Sequence, residues 1–358
     1  MSAAPCDVLI ATHERPEALR ALLDSLATTA PAWVHCAIVV DDGDGRAPPL
    51  PSYPFPVRHL RPGRRVFISR AKNLGLAAVD TSELLVIDDD NVVTPSTFAH
   101  PLGILRRGDG VGAIMPAVLY RDRPELVWVY ATPWRPDRWG FVLIGRNRAR
   151  APEWEGRLLP TDALPNAAFF STDRLRRIGG WREELRVNSS ADLCHRIKRT
   201  GAAVWADSHA FVLHDVESPG HRAFWAAHQV SDPARSEEEI VDWFAWQRGV
   251  HERLRAFRAR ATWHALGFLG PMLVGAAIRP DGRFWRAAPR VVRGVLRGWR
   301  ESGRRLRPAK AHDRLAQEEV PALPRTAGAR DVHPLNPESE PGPEPGREEV
   351  AGHVGPGQ

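Results

Sequence analysis

Apolar and polar positions in the first two-thirds of the chain predict strands and helices in turn. Residues 6–12 (CDVLIAT) and 36–42 (CAIVVDD) are short apolar runs typical of buried strands. The stretch between them has a proline near its start and a helical apolar face, formed by Leu19, Leu22, Leu23 and Leu26. The pattern therefore predicts a strand, a helix and a second strand.

The alternation continues for one further unit. Residues 57–60 (VRHL) are a possible short strand, residues 68–80 (ISRAKNLGLAAVD) have a helical pattern, and Leu84 to Ile87 form a third strong apolar run. Strands and helices in this order predict an open parallel α/β sheet.

Carboxylates cluster where two of the strands end. Asp41 and Asp42 close the second strand, and three consecutive acids, Asp88 to Asp90, follow Ile87. Adjacent carboxylates are stable when they are solvated, hydrogen-bonded or close to a cation, so a solvated turn before a helix near Pro95 is one interpretation. Ligands of open α/β sheets bind beyond the carboxyl ends of the strands, which favours a ligand or metal site.

The next hundred residues carry further elements. Residues 163–181 (ALPNAAFFSTDRLRRIGGW) predict a strand, a capped short helix and a glycine stop. Residues 191–201 (ADLCHRIKRTG) predict a helix, and residues 202–215 (AAVWADSHAFVLHD) predict two short strands. We place the end of this region at 216.

The composition changes after residue 216. Residues 262–278 are apolar but interrupted by His264, glycines and Pro271, which favours a buried or interfacial segment over a membrane span. Residues 283–307 alternate arginines with Trp285, Val292, Val295, Leu296 and Trp299, typical either of a basic interfacial helix or of a helix packed on its own domain. Residues 308–358 are rich in Pro, Glu and Gly, which predicts a disordered tail.

Composition and charge narrow the classes of protein. With 43% hydrophobic and 26% charged residues, the chain has an ordinary globular balance. Three isolated cysteines and no leader pattern predict a protein of the reducing, cytoplasmic side. Much of the excess positive charge lies between Arg248 and Arg307, where it fits anionic lipid or nucleic acid.

Six motifs in a fixed order carry a family resemblance. They are VLIATHERPEALRALLDSL, IVVDDGDG, ISRAKNLGLAA, LLVIDDDNVVTP, ALPNAAFFSTDRLRRIGGW and ADLCHRIKRTG. This succession, over about residues 6–215, resembles the family 2 glycosyltransferases. The resemblance implies a GT-A-type (Rossmann-like), mostly parallel sheet flanked by helices, with a nucleotide half at about 1–95 and an acceptor half at about 96–216. Residues 217–307 would then be a helical, basic extension with the capacity to associate with a membrane.

The resemblance also implies an activity and a cofactor. Such enzymes move a sugar from a nucleotide-diphosphate sugar to an acceptor hydroxyl with inversion, assisted by Mn²⁺ or Mg²⁺. It assigns the metal to Asp88, Asp90 and His214. It assigns the nucleotide-sugar donor to Thr12, Glu14, Arg15, Asp41, Lys72, Asn73, Asp88 and Asp89. The acceptor would be a glycan, a lipid-linked molecule or a small molecule, and the enzyme is expected in the cytoplasm or on the inner face of the plasma membrane.

One position departs from the family pattern. The family usually places an acidic pair before the aspartate of its DL motif, and the second acid is the general base. Here those positions are Ser189 and Ser190. Asp192 is the leading replacement, Glu183 or Glu184 could also supply the base, and a catalytically impaired nucleotide-sugar-binding protein is the alternative.

Two other classes fit less well. A nucleotidyltransferase should carry a glycine- and lysine-containing loop after the first strand, and ATHERPEA contains neither residue. A nucleic-acid-binding protein should interleave basic and aromatic residues on a recognisable module, whereas here they lie outside the motif-bearing region. We therefore expect no nucleic-acid partner.

Overall fold

The computed structural model describes seven stretches of the chain: residues 4–43, 50–108, 110–135, 140–187, 189–216, 233–250 and 283–305. Predictions for residues 262–278 and for the tail at 308–358 lie outside these stretches. The proposed boundaries at 216 and 307 stay predictions. Within the described stretches, no helix combines the length and the apolar character needed to cross a bilayer.

The described elements are twelve strands and seven helices. The strands are β1 (Cys6–Thr12), β2 (Val34–Asp41), β3 (Val57–Leu60), β4 (Glu83–Asp88), β5 (Asn91–Val93), β6 (Val111–Tyr120), β7 (Val127–Val129), β8 (Trp134–Arg135), β9 (Gly140–Phe141), β10 (Leu158–Pro160), β11 (Ala167–Ser171) and β12 (Ala203–His214). The helices are α1 (Pro16–Thr29), α2 (Phe67–Leu76), α3 (Ala99–Arg107), α4 (Thr172–Arg177), α5 (Ser190–Arg199), α6 (Pro233–Val250) and α7 (Arg283–Arg305).

One large sheet organises these elements. Its strand order is β10-β12-β6-β11-β4-β1-β2-β3, with β5 added on β12 and β7 on β6. The four strands β3, β2, β1 and β4 pair in parallel, as the sequence predicts. β11 is antiparallel to both β4 and β6, so the sheet as a whole is mixed. The predicted α/β sheet flanked by helices, with a C-terminal helix, is confirmed.

The core lies between this sheet and the helices on its faces. Leu19, Leu22, Leu23 and Leu26 of α1 are all buried, which confirms the helical face predicted from their spacing. Helix α2 comes close to β1 at Gly75, where an added Cβ would lie 2.0 Å from Leu9 Cδ1. Glycine fits there because a larger residue would collide with the buried Leu9 side chain of β1.

The two short strands predicted in residues 202–215 are one long strand. β12 runs from Ala203 to His214 beside β6, with a break in register between Asp207 and Phe211. This bulge explains why the sequence predicts two strands. The residues of the bulge interrupt the strand pattern, and they look like a turn when the pairing with β6 is unknown.

The helices of the basic region pack on one another. Glycines of α7 meet α6: a Cβ on Gly298 would lie 2.8 Å from Phe244, and one on Gly294 would lie 3.1 Å from the carbonyl oxygen of Glu237. Arg297 of α7 pairs with Glu237 and Glu238 of α6 at 2.5 and 2.9 Å. Helix α6 also contacts the preceding region, since the backbone N–H of Val187 donates to the Asp242 carboxylate at 2.6 Å.

The cysteines should be inert in the folded protein. Cys6, Cys36 and Cys194 are buried and free. Burial raises the pKa of Cys6 to about 12, and burial also raises the pKa of Cys36 and Cys194, so each stays a neutral thiol at pH 8. We expect no rapid reaction with a disulfide reagent at pH 8, and labelling of all three thiols once guanidinium unfolds the chain. Fast labelling of the native protein would contradict this packing.

Candidate active site

A cavity of about 380 Å³ opens where β1 and β4 end. It is lined by Ala11, Thr12, His13, Glu14, Arg15, Asp42, Arg65, Phe67, Ile68, Ala71, Asp88, Asp89, Asp90 and Val187. The cavity therefore lies at the carboxyl edge of the parallel strands, where the sequence places the candidate ligand site. Among the residues assigned to the donor, Thr12, Glu14, Arg15, Asp88 and Asp89 line it.

The middle acid of the triplet is turned into the protein. Asp89 is buried, accepts a hydrogen bond of 2.7 Å from the Thr12 hydroxyl, and lies 3.2 Å from Arg15 Nη1. Burial and the neighbouring Asp90 raise the pKa of Asp89 to about 6, although Arg15 and Thr12 oppose the shift. Asp89 thus fixes the loop after β4 to the loop after β1.

Asp90 joins a cation and an imidazole. One carboxylate oxygen lies 2.9 Å from Arg15 Nη1, and the other lies 3.5 Å from His214 Nε2 and accepts a 3.1 Å bond from the Asn91 amide. Burial alone would raise the pKa of Asp90, but His214 and Arg15 outweigh it and hold that pKa well below its ordinary value. Asp90 is therefore held as a carboxylate beside His214.

Asp88 faces a different partner. Its carboxylate lies 3.0 Å from Lys72 Nζ, which reaches it from α2. Asp88, Asp90 and His214 are not among the described groups whose ligand atoms all lie within 4.8 Å of one another. The structure therefore brings Asp90 and His214 together, and it leaves Asp88 engaged with the lysine.

His214 is fixed by its surroundings. It ends β12 opposite Asn91 of β5, and its ring makes a T-shaped contact with Trp128, with centroids 5.0 Å apart. Its Nδ1 is buried without a hydrogen-bond partner in the described structure, while Nε2 faces Asp90. Carboxylate oxygens beside an imidazole nitrogen form a donor set that fits Mn²⁺ or Mg²⁺.

The two acids at the end of β2, Asp41 and Asp42, have different surroundings. Asp42 lines the cavity and accepts hydrogen bonds from the backbone N–H groups of Val66 and Phe67. Burial raises the pKa of Asp42, while those two N–H groups oppose the shift. Asp41 is not among the lining residues; it lies 3.3 Å from Arg61 Nε and accepts from the N–H of Gly43. Asp42 is therefore closer to the cavity than the predicted Asp41.

Backbone strain marks the rim of the cavity. Glu14 has a φ of 55° and Phe67 a φ of 65°, which only glycine adopts without cost. Strained conformations of this kind concentrate at functional sites. The guanidinium groups of Arg65 and Arg186 lie 4.7 and 5.3 Å from the Phe67 ring centroid.

Sequence reasoning missed several lining residues. Arg65, Phe67 and Val187 lie outside the six motifs, and their places depend on the loop before α2 and on the chain after residue 185. The one available signal was the arginine pair, Arg64 and Arg65, immediately before the predicted helix.

Asn73 has a structural role in the described structure. Its amide donates 2.8 Å to the Trp181 carbonyl oxygen, and its side-chain oxygen accepts 2.9 Å from the Trp181 N–H. It also reaches Glu183 at 3.2 Å. Asn73 thus holds the Gly179–Gly180–Trp181 turn against α2, away from the lining of the cavity.

The candidate general bases lie apart from the cavity lining. Asp192 is buried in α5, 2.7 Å from Arg196 Nε and 3.4 Å from Arg182 Nη1. Ser189, which stands at the acidic pair, is also buried and accepts a 2.8 Å bond from Ser69. Neither side chain is among the residues around the cavity.

Comparison with known proteins identifies the class of this region. Residues 7–156 match the family model described as glycosyl transferase family 2. The resemblance predicted from the motifs is thereby confirmed for this segment, which contains the cavity apart from Val187 and contains the whole acid triplet. No curated protein matches the chain.

Two solved structures show distant likeness. One is GalNAc-T7 with UDP, GalNAc and Mn²⁺, at 12% identity and a TM-score of 0.48, covering 66% of this chain. This chain spans about half, 47%, of that chain. The other is the mannosyltransferase PcManGT from Pyrobaculum calidifontis in complex with GDP-Man and Mn²⁺, at 14% identity and a TM-score of 0.47, covering 84% of this chain and 87% of that chain.

Proposed function

We propose that this protein transfers a sugar, with inversion, from a nucleotide-diphosphate sugar to an acceptor hydroxyl. The carrying observation is the cavity at the sheet edge: Asp88, Asp90 and Arg15 line it, and each of the two acids has a further partner, Lys72 for Asp88 and His214 for Asp90. A diphosphate has concentrated negative charge, so carboxylates can share a site with it only when cations lie between them. The cavity supplies both charges at one edge.

Asp90 and His214 would hold a divalent cation, Mn²⁺ or Mg²⁺. Asp88 would join them when a diphosphate competes for Lys72, because the lysine now neutralises Asp88 at 3.0 Å. A bound cation of this kind stabilises the charge of a departing nucleoside diphosphate. Thr12 and Asp89 keep the loops after β1 and β4 together at 2.7 Å.

The remaining cations and the strained rim would orient the donor. Arg15 and Arg65 line the same cavity as the acids and can donate to phosphate oxygens in a fork geometry. Asp42, with Glu14 beside Gly43, supplies acceptors for the N–H groups of a nucleobase. We assign this end of the cavity to the nucleoside, with Asp41 holding the Gly43 turn behind it.

The base that activates the acceptor remains Asp192 or an acid of the Glu183–Glu184 pair. Asp192→Asn is expected to leave nucleotide affinity unchanged, because the residue does not line the cavity. It should destabilise the fold by roughly 3 kcal/mol, since Arg196 and Arg182 lose a buried partner. Calorimetric binding and urea denaturation test both expectations.

Measuring catalytic turnover distinguishes the candidate general bases. Release of nucleoside diphosphate from a panel of UDP-, GDP- and dTDP-sugars should be measured for Asp192→Asn and, as the matched variant, Glu183→Gln. Loss of release in a variant that is still folded under the assay conditions and still binds nucleotide identifies the base. Loss of nucleotide affinity in Asp192→Asn would contradict the placement of this residue outside the donor cavity.

A catalytically impaired nucleotide-sugar-binding protein is the second candidate. It is favoured by Ser189 and Ser190 at the acidic pair and by the double ion pair that engages Asp192. This candidate predicts nucleotide binding with no release of nucleoside diphosphate from any donor in the panel. Release that depends on Asp90 would exclude it.

We also propose that α7 binds an anionic membrane surface. Val292, Leu296 and Trp299 are exposed at helical spacing, and the exposed Arg293 and Arg300 flank them. Apolar side chains flanked by arginines complement anionic lipid headgroups above an acyl layer. This contact would hold the protein at the inner face of the plasma membrane, near a lipid-linked or polymeric glycan acceptor.

Leu296→Glu should weaken co-sedimentation of the full chain with phosphatidylglycerol vesicles by roughly tenfold, since it puts a like charge into the lipid contact. Leu143→Glu, at another exposed leucine, is the matched control and should have no effect. Equal binding by both variants, or no binding by the wild type, would remove the membrane contact. If Leu296→Glu instead abolishes self-association, the exposed apolar residues Val292, Leu296 and Trp299 bind a second copy of the chain.

A further inference from the structure

A second cluster of metal-ligating side chains lies at the register break of β12, apart from the cavity. The carboxylate of Asp207 lies between two imidazoles: His100 Nδ1 is 2.7 Å from one oxygen, and His209 Nδ1 is 2.9 Å from the other. One ligand atom from each of the three residues lies within 4.8 Å of the others. None of the three lines the donor cavity.

The fold brings the three residues together from two elements. Asp207 and His209 are two apart on β12, at the start of the bulge that ends at Phe211, and His209 also donates its backbone N–H to Asp207 at 3.0 Å. His100 comes from the first turn of α3, which packs on β12. Their approach therefore depends on the register break, which the sequence alone does not reveal.

The charge of Asp207 needs a positive partner. Its side chain is fully buried, with 0% exposed, and its ion-pair partners among the described residues are the two histidines. A buried carboxylate is costly unless a cation lies beside it. The centroids of the two rings are 4.0 Å apart, so one ion can be reached from both rings.

One metal cation held by all three side chains would compensate the buried charge of Asp207. Ligand atoms on a tetrahedral zinc ion lie at about 2.0 to 2.2 Å, so neighbouring ligands are about 3.3 to 3.6 Å apart. The observed nitrogen–oxygen distances of 2.7 and 2.9 Å are shorter, so the rings must move outward to admit the ion. The imidazoles are 39% and 40% exposed, so they can turn their Nδ1 atoms toward one ion while Asp207 stays fixed. Their exposure also gives the ion and water access.

We propose that His100, Asp207 and His209 form a second metal site, for a borderline transition-metal ion such as Zn²⁺. Two imidazoles and a carboxylate are a common zinc ligand set, and the remaining positions face solvent. The ion cross-links α3 to the bulge of β12. This site is independent of the proposed sugar transfer.

The test is calorimetric titration of the full chain with ZnCl₂. It uses an Asp90→Ala background, so that binding at the donor cavity does not contribute. We expect one equivalent of Zn²⁺ to bind, with affinity reduced at least about 30-fold by His209→Gln or His100→Gln. His195→Gln, at an exposed histidine of α5, is the matched control and should bind as the background does.

Spectroscopy gives a second readout that does not depend on activity. Co²⁺ added to the same background should produce visible d–d absorption with imidazole ligands, which His209→Gln removes while the circular dichroism spectrum is retained. Absence of Zn²⁺ binding in the folded background would overturn the proposal. Binding that survives both His100→Gln and His209→Gln would also overturn it, and neither result bears on the donor cavity.

Discussion

Asp90→Ala is expected to abolish the Mn²⁺-dependent part of nucleoside diphosphate binding, with an affinity loss of at least about 100-fold. Asp90 is the carboxylate that the structure holds beside His214 Nε2, at 3.5 Å, and beside Arg15, at 2.9 Å. Without it, the imidazole loses its neighbouring ligand and the remaining acids cannot hold a cation at that point. Calorimetric titration with Mn²⁺ present measures the loss.

Asp80→Ala is the control for charge. It removes one carboxylate that is exposed and paired with Arg58, before β4 and so at the opposite edge of the sheet. We expect its nucleotide affinity to equal that of the wild type. If both variants lose the same affinity, the net charge of the protein governs nucleotide binding, and Asp90 does not act as a metal ligand.

Gly180→Ala is expected to destabilise the fold by about 3 kcal/mol. Gly180 has a φ of +61°, and an added Cβ would lie 2.4 Å from Asn73 Oδ1. The left-handed conformation costs about 1 to 2 kcal/mol for alanine, and the displaced Asn73 would lose hydrogen bonds to Trp181 worth about 1 kcal/mol each. Urea denaturation measures the change in the free energy of unfolding.

Gly201→Ala separates the two contributions. Gly201 has a φ of +78°, and no atom lies within 4 Å of its added Cβ. Its substitution should therefore show the conformational cost alone, about 1 to 2 kcal/mol. If both variants lose the same stability, the added Cβ at position 180 is accommodated without loss of the Asn73 hydrogen bonds to Trp181, and the predicted extra cost is wrong.

Much of the fold was predictable because the deciding signals are local. Leu19, Leu22, Leu23 and Leu26 repeat at helical spacing, and all are buried on the sheet. The apolar runs of β2 and β4 lead into acids that line the cavity, Asp42 and Asp88 to Asp90, because parallel strands bring their carboxyl ends to one edge. The order of motifs then carried the family resemblance, and residues 7–156 match the model of that family.

The contact partners of the site side chains could not be predicted from local sequence patterns. Lys72 pairs with Asp88, and Asn73 clamps Trp181; both contacts join segments that are distant in sequence or depend on the helix position. The cavity rim at Phe67 and Val187 depends on backbone strain and on the loop after Leu185. Such long-range contacts leave no periodic trace in the chain.

The bulge of β12 is a second feature that could not be predicted from the sequence. A break in register between Asp207 and Phe211 made one strand look like two, and it brought His209 beside Asp207. Register depends on the neighbouring strand, here β6, which the sequence pattern of β12 does not contain. The cluster with His100 therefore became visible only once the strands were paired.

The most direct test of the central claim is a calorimetric titration of the wild-type chain with UDP, GDP and dTDP, in Mn²⁺ and then in EDTA. The account predicts that one of the three nucleotides binds clearly more tightly than the others, and that EDTA removes this binding. If a demonstrably folded protein binds none of them in Mn²⁺, the acids from Asp88 to Asp90 form only a solvated turn, and the proposed sugar transfer is wrong.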